Sequence, residues 1–103
     1  MSSLLSIDNA QNIYLASDAV DFRKSIPGLA SMIKDSFGCS AHDGSYFVFY
    51  NQNLTGLKIM TWDGDGFILV YKKLTDTRFK LNKDTKELNR YQLKELLCGN
   101  IAD

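Results

Sequence analysis

The chain has 103 residues, with 12 Lys and Arg against 12 Asp and Glu and a single His, so its formal net charge is zero. That length fits one domain, and 45% hydrophobic with 12% aromatic content excludes a disordered chain. A balanced charge argues against a strongly basic nucleic-acid binder, and no apolar run approaches the ~18–20 residues of a membrane span.

Residues 1–10 read as a flexible lead-in to a single domain over 1–103, without the basic flank of a secretory signal. Residues 12–17 (NIYLAS) favour a short strand. Ile26, Leu29, Ile33 and Phe37 then recur at spacings of three and four, which predicts a helix. Ser25 stands at its N-cap, Pro27 in its first turn and Gly38 at its left-handed stop. Tyr46–Tyr50 (YFVFY) is too short for a helix and reads as a strand. A turn cluster over 51–56 leads to a strand at 57–62. Asp63-Gly64-Asp65-Gly66 then forms a hairpin into a strand at 67–74. Residues 78–81 and 86–88 are expected to form a closing hairpin. Asn89 with Gln92 makes a capping box for a last helix, preferred to Asp84 with Glu87. Leu93, Leu96 and Leu97 are its apolar stripe and Gly99 its end.

The fold class is therefore α+β. It has a largely antiparallel sheet of about four to six strands from successive hairpins, one helix after the first strand and one C-terminal helix. Parity puts Tyr46, Val48 and Tyr50 on one face and Phe47 and Phe49 on the other. Two short helices are expected to cover one face, leaving an aromatic face for a second copy or a partner.

Catalytic chemistry is hard to find. Asp63 and Asp65 belong to a turn, because Phe67 and Leu74 occupy the places where a calcium loop needs oxygen ligands. His42 near Cys39 and Asp43 is too small a set for zinc, and a Cys39–His42 nucleophile pair lacks an orienting group. Cys39 and Cys98 stand alone, which suits a reducing cytoplasm. No phosphate loop, dinucleotide fingerprint or serine elbow is present. No catalytic residue, metal or cofactor is expected. Gly44–Tyr50 partly resembles an RNA-stacking strand through Phe47, Val48 and Tyr50, but core aromatics are the favoured reading.

The charges are uneven. Residues 1–57 hold three basic groups against five acidic ones, and 58–103 nine against seven. Lys72 and Lys73 point to opposite sheet faces, whereas Arg78 and Lys80 share one. Pairing of 67–74 with 78–81 would make Arg78, Lys80 and one lysine a stripe on a sheet edge. Such a stripe either protects the edge or, with Arg23 and Lys24, contacts DNA or an acidic partner. Asp21-Phe-Arg23-Lys24 itself reads as a local ion pair or an interaction patch.

Several of these segments together resemble one family. They are Ile13–Ala16, Asp21-x-Arg23-Lys24, Gly28-Leu29-Ala30, Phe47-Val-Phe49, Lys58-Ile59 and Trp62-Asp63-Gly64-Asp65-Gly66, continued by Lys72-Lys73-Leu74, Arg78-Phe79 and the Leu93–Gly99 ending. The family is the TnpB-type accessory protein from the second open reading frame of insertion-sequence-66 (IS66-type) elements. The likeness covers about residues 12–101. It implies a bacterial, cytoplasmic, non-enzymatic protein that supports transposition while a larger protein performs strand transfer. Partners implied are the transposase and other proteins of the same element, with DNA contact weaker and no membrane. Asn51-Gln-Asn-Leu54 stands where relatives often carry arginines, and Lys80-Leu81 where they carry Trp-Pro. The alternative is a small nucleic-acid-binding module using the aromatic strands and a basic edge. Asp21, Asp63 and Asp65 make a poor catalytic set for phosphoryl transfer.

Overall fold

The computed structural model describes residues 12–82 and 84–98. The elements run β1 (Ile13–Leu15), α1 (Ile26–Phe37), β2 (Tyr46–Tyr50), β3 (Gly56–Trp62), β4 (Phe67–Lys73) and α2 (Arg90–Leu97). The expected lead-in over 1–10 and the Gly99 helix stop lie outside the described residues. The four strands form one sheet in chain order. β1 lies parallel to β2, so α1 serves as the crossover, and β2–β3 and β3–β4 are antiparallel hairpins.

Local chemistry sets the helix ends. Ser25 occupies the N-cap of α1 without a side-chain capping bond, so Pro27 and the burial of Leu29 and Ile33 carry its start. Gly38 closes it at φ 69°, donating its N–H to the Lys34 carbonyl at 2.9 Å. In α2 the capping box is complete. The Gln92 amide donates to Asn89 Oδ1 at 2.7 Å, and the Asn89 amide donates to Gln92 Oε1 at 2.8 Å.

The register sorts the core into two layers. Tyr14, Phe47, Phe49 and Met60 share one face, where the Phe37 ring of α1 lies 5.2 Å from Phe47 and 5.8 Å from Phe49. Ile13, Leu15, Val48, Tyr50, Leu57 and Ile59 share the other. That face is also buried, in one cluster with Phe79 and Leu93. Lys72, which projects from it, donates to the Leu97 carbonyl at the end of α2. The helices thus lie on opposite sides, and every side chain of β2 is buried. This overturns the expected uncovered aromatic face: the long return after β4 carries α2 around the sheet to the side that α1 leaves open.

The expected closing hairpin is also absent. Residues 78–81 form no strand and do not pair with β4. Phe79 is buried instead, and its amide donates to the Leu54 carbonyl at 2.7 Å. Residues 86–88 run along the outside of β1, with a bridge between Tyr14 and Glu87. The Leu15 amide donates to Lys86 at 2.9 Å and the Leu88 amide to Ile13 at 2.8 Å. A strand pairing there would have left the β1 edge bare and the Phe79 pocket empty.

Phe79 therefore pins an irregular segment by core burial. Phe79→Ala is expected to cost about 3–5 kcal/mol in chemical denaturation, as core phenylalanines do. Tyr91→Ala, at an exposed position of α2, should change stability by about 0.5 kcal/mol or less.

Candidate functional site

One end of the sheet, where β1, β2 and β4 finish and β3 begins, collects the basic residues singled out by sequence. After β1 the chain stays bonded to β2, with the Ala16 amide donating to Val48 and the Val20 amide to Tyr50. It then turns tightly at Asp21, whose carbonyl accepts from the Lys24 amide at 3.0 Å. The Asp21 carboxylate accepts the Arg23 amide at 2.9 Å and the Arg23 guanidinium at 2.7–3.1 Å. This is an Asx turn closed by a forked ion pair. The guanidinium bonds hold the Asp21 carboxyl at about 2, below the ordinary carboxylate range.

Lys58 holds this loop to the sheet. Only 7% exposed, its ammonium donates to the carbonyls of Phe22 at 2.8 Å and Lys24 at 3.2 Å. It lies 4.8 Å from the centre of the Phe22 ring and 5.4 Å from that of Tyr71. Phe22 meets Tyr71 edge-on at 5.5 Å. A Cβ at Gly56 would approach Phe22 to 2.8 Å, so only glycine lets the ring settle there.

The β2–β3 turn forms the floor of this end. Asn51 Oδ1 accepts the amides of Thr55 and Gly56 at 2.9 and 3.0 Å, and Leu54 takes φ 58°. The chain after β4 wraps this turn through Leu74, bonded to Thr55, and Phe79, bonded to Leu54. Arg78 and Lys80, on either side of Phe79, are exposed at the same end. Lys73 pairs in register with Gly56 and is exposed.

Arg23, Lys24, Lys73, Arg78 and Lys80 are thus brought to one end from three separate segments, though not as a stripe on a sheet edge. Lys72 lies on the opposite face, engaged with α2. Phe47, Val48 and Tyr50 are fully buried, which bears out the core reading of this strand and removes the alternative of nucleic-acid stacking on it. Lys58, Phe22 and Tyr71 were missed. A lysine inside the apolar run Leu57-Lys-Ile-Met60 was the available signal.

The opposite end is acidic. Asp63-Gly64-Asp65-Gly66 is a hairpin turn, with the Asp63 amide donating to Gly66 at 2.8 Å and Gly64 at φ 95°. Beside it His42 packs on Trp62 at 4.5 Å and on Phe67 at 5.2 Å. Asp43 precedes β2 at the same end. Among the described residues no group of three or more His, Cys, Asp or Glu could hold a metal.

The family described as IS66 Orf2 like protein matches residues 11–102. The chain belongs to that family. It is also 33% identical over 67 residues to an uncharacterized protein, y4jC, of Sinorhizobium fredii. That match covers 65% of this chain and 57% of the relative, so the chain spans little more than half of it. No solved structure matches. Within the family-matched region fall Asp21, Arg23, Lys24, Gly28 and the 62–66 turn. The Lys24 stem packs on Gly28, where a Cβ would sit 3.4 Å from it.

Two measurements check this geometry. The Asp21 carboxyl should titrate near 2 by NMR and return toward ordinary values in Arg23→Ala. Because its folded value is depressed, its contribution to stability is present above the unfolded value and lost as pH falls toward 2. Lys58→Met should leave the Phe22 and Lys24 carbonyls without their donor, destabilising the fold by about 1–3 kcal/mol. The Lys24 amide should then exchange faster with solvent.

Proposed function

We propose that this protein is a non-catalytic, cytoplasmic accessory component of an IS66-type element that supports transposition by binding the element's transposase along the outer edge of β4. The carrying observation is that edge. Hydrogen bonds of Asp63 to Gly66 and of Leu74 to Thr55 bracket the β3–β4 ladder, so Ile68, Val70 and Lys72 face β3 with their backbone groups. Those of Phe67, Leu69, Tyr71 and Lys73 face outward, and no described strand pairs with them. Side chains from Phe67 to Val70 are only half-buried, unlike those of β2. A seven-residue edge with half-open apolar residues is a template for strand addition by a partner. The opposite edge, at β1, is covered by residues 86–88.

One further feature supports a role in contact rather than chemistry. The acidic pair Asp63 and Asp65 serves a turn, and Asp21 is engaged by Arg23. No described helix is long and apolar enough to cross a membrane.

Co-expression of the tagged protein with the transposase of its element tests the reading. Wild type should retain the transposase on affinity purification. Leu69→Pro, which removes an outward N–H without breaking the β3 ladder, should lose it while keeping a cooperative melt. Equal retention by Leu69→Pro, or none by wild type, refutes the edge as the transposase site. A homodimer by light scattering that Leu69→Pro converts to monomer would assign the edge to a second copy instead.

A further inference from the structure

We propose that the cationic end of the sheet binds a single-stranded nucleic acid, with its phosphates on Lys24, Lys73 and Arg78 and a base stacked on Tyr71. This surface uses the side chains of Tyr71 and Lys73, whereas the β4 edge uses their outward backbone groups, and the inference does not depend on the transposase contact.

Lys24 comes from the loop before α1, Lys73 from the end of β4 and Arg78 from the loop beyond it, and all three are exposed. Cations supplied by three segments around one turn suit a linear polyanion better than a single anionic group. Arg23 is left out of this set, because its guanidinium is already forked onto Asp21. That pairing also neutralises Asp21, leaving Asp18 and Asp76 as the acids of this end.

Lys58 adds to the field from beneath. Its ammonium is buried against carbonyls and rings, and no carboxylate among the described residues lies within ion-pair distance. A cation in a low-dielectric setting without a counter-charge projects its potential to the nearby surface.

Tyr71 distinguishes a nucleic acid from an acidic protein. It is 51% exposed, although it belongs to the sheet. Phe22 braces its ring edge-on and the Lys58 ammonium lies over it, so the ring is fixed before any ligand arrives. A rigid, half-open aromatic ring among lysines is the platform on which unpaired bases stack, and a duplex keeps its bases inside. Three phosphate contacts on a single strand give a log–log salt slope near −2, or about a twenty-fold loss between about 50 and 200 mM salt. Base stacking on one ring is worth roughly tenfold or more in affinity.

Fluorescence anisotropy with a labelled DNA strand of about 20 nucleotides, free or in duplex, tests the proposal at those two salt concentrations. Wild type should prefer the single strand and lose affinity with the stated slope. Lys73→Ala and Arg78→Ala should each weaken binding and flatten the slope. Tyr71→Leu should lose about tenfold, whereas Tyr71→Phe, which keeps the ring and its packing, should retain binding. Leu69→Pro, which removes one outward backbone N–H and leaves the Tyr71 and Lys73 side chains in place, should bind DNA as wild type does, which separates side-chain binding from pairing along the edge. Three outcomes overturn the proposal: no salt-dependent binding, equal binding of duplex, or polyglutamate competing as well as DNA. Equal affinity of Tyr71→Leu and Tyr71→Phe overturns it as well.

Discussion

A buried ammonium organises this molecule. Lys58 sits on β3, an inner strand of the sheet, and removing such a charge from water costs several kcal/mol unless it is well solvated by the protein. The compensation comes from two carbonyls and two aromatic faces rather than from a carboxylate. Those carbonyls belong to Phe22 and Lys24, so satisfying the lysine fixes the turn before α1. Fixing that turn sets where the crossover helix starts and lets Phe22 lie across Gly56 and Tyr71. A carboxylate partner would have cancelled the charge. Carbonyls satisfy the donors and leave the positive charge in place.

The zero net charge of the chain conceals a separation of charge along the sheet. Basic residues gather where β4 ends, and Asp43, Asp63 and Asp65 gather at the opposite end. The topology produces this from a sequence in which the two signs alternate. Each hairpin returns the chain to the end it left, so Lys58 and Lys73, although fifteen positions apart, come to the same end. A molecule of this kind is polar without being basic. Its association with a charged surface depends on which end approaches, and it is weakened by salt over distances beyond the Debye length, about 10 Å at 0.1 M.

Much of the fold was legible in the sequence, because its signals were local. The three-and-four spacing of α1 and its Gly38 stop, the Asp-Gly turn at 63–66 and the Asn89–Gln92 capping box depend on residues close in the chain. All are present. What failed was non-local. Arg78–Leu81 alternates as a strand would, but the pocket under Leu54 competes for Phe79 and wins, since burying a phenylalanine outweighs a short edge pairing. The uncovered face failed for a similar reason, because periodicity cannot tell which side of the sheet a returning chain will take. The candidate site was legible as a set of basic residues, yet not as a place. Arg78 and Lys80 were assigned to a sheet edge, and the loop that actually carries them wraps the β2–β3 turn. Tyr71 looked like any other strand aromatic until the register put it opposite Lys58 and its ring next to Gly56, the strand position whose missing side chain admits Phe22.

The open edge of β4 follows from the same arrangement. A four-stranded sheet in chain order must leave its first and last strands at the edges, and among the described residues only the first is covered. Covering the last would require the chain after β4 to run back alongside it. That chain is committed elsewhere, through Leu74 to Thr55 and through Phe79 to Leu54. Those contacts secure the far face of the core, and the edge is left open as a consequence. Edge strands with exposed backbone invite aggregation unless charge or shape discourages it. In β4 the discouragement is confined to Lys72 and Lys73 at one end, and Lys72 is spent on the carboxyl end of α2. The stretch from Phe67 to Val70 carries no charge at all. Protection concentrated at one end leaves the remainder of the strand able to pair, which is the condition a strand-adding partner requires.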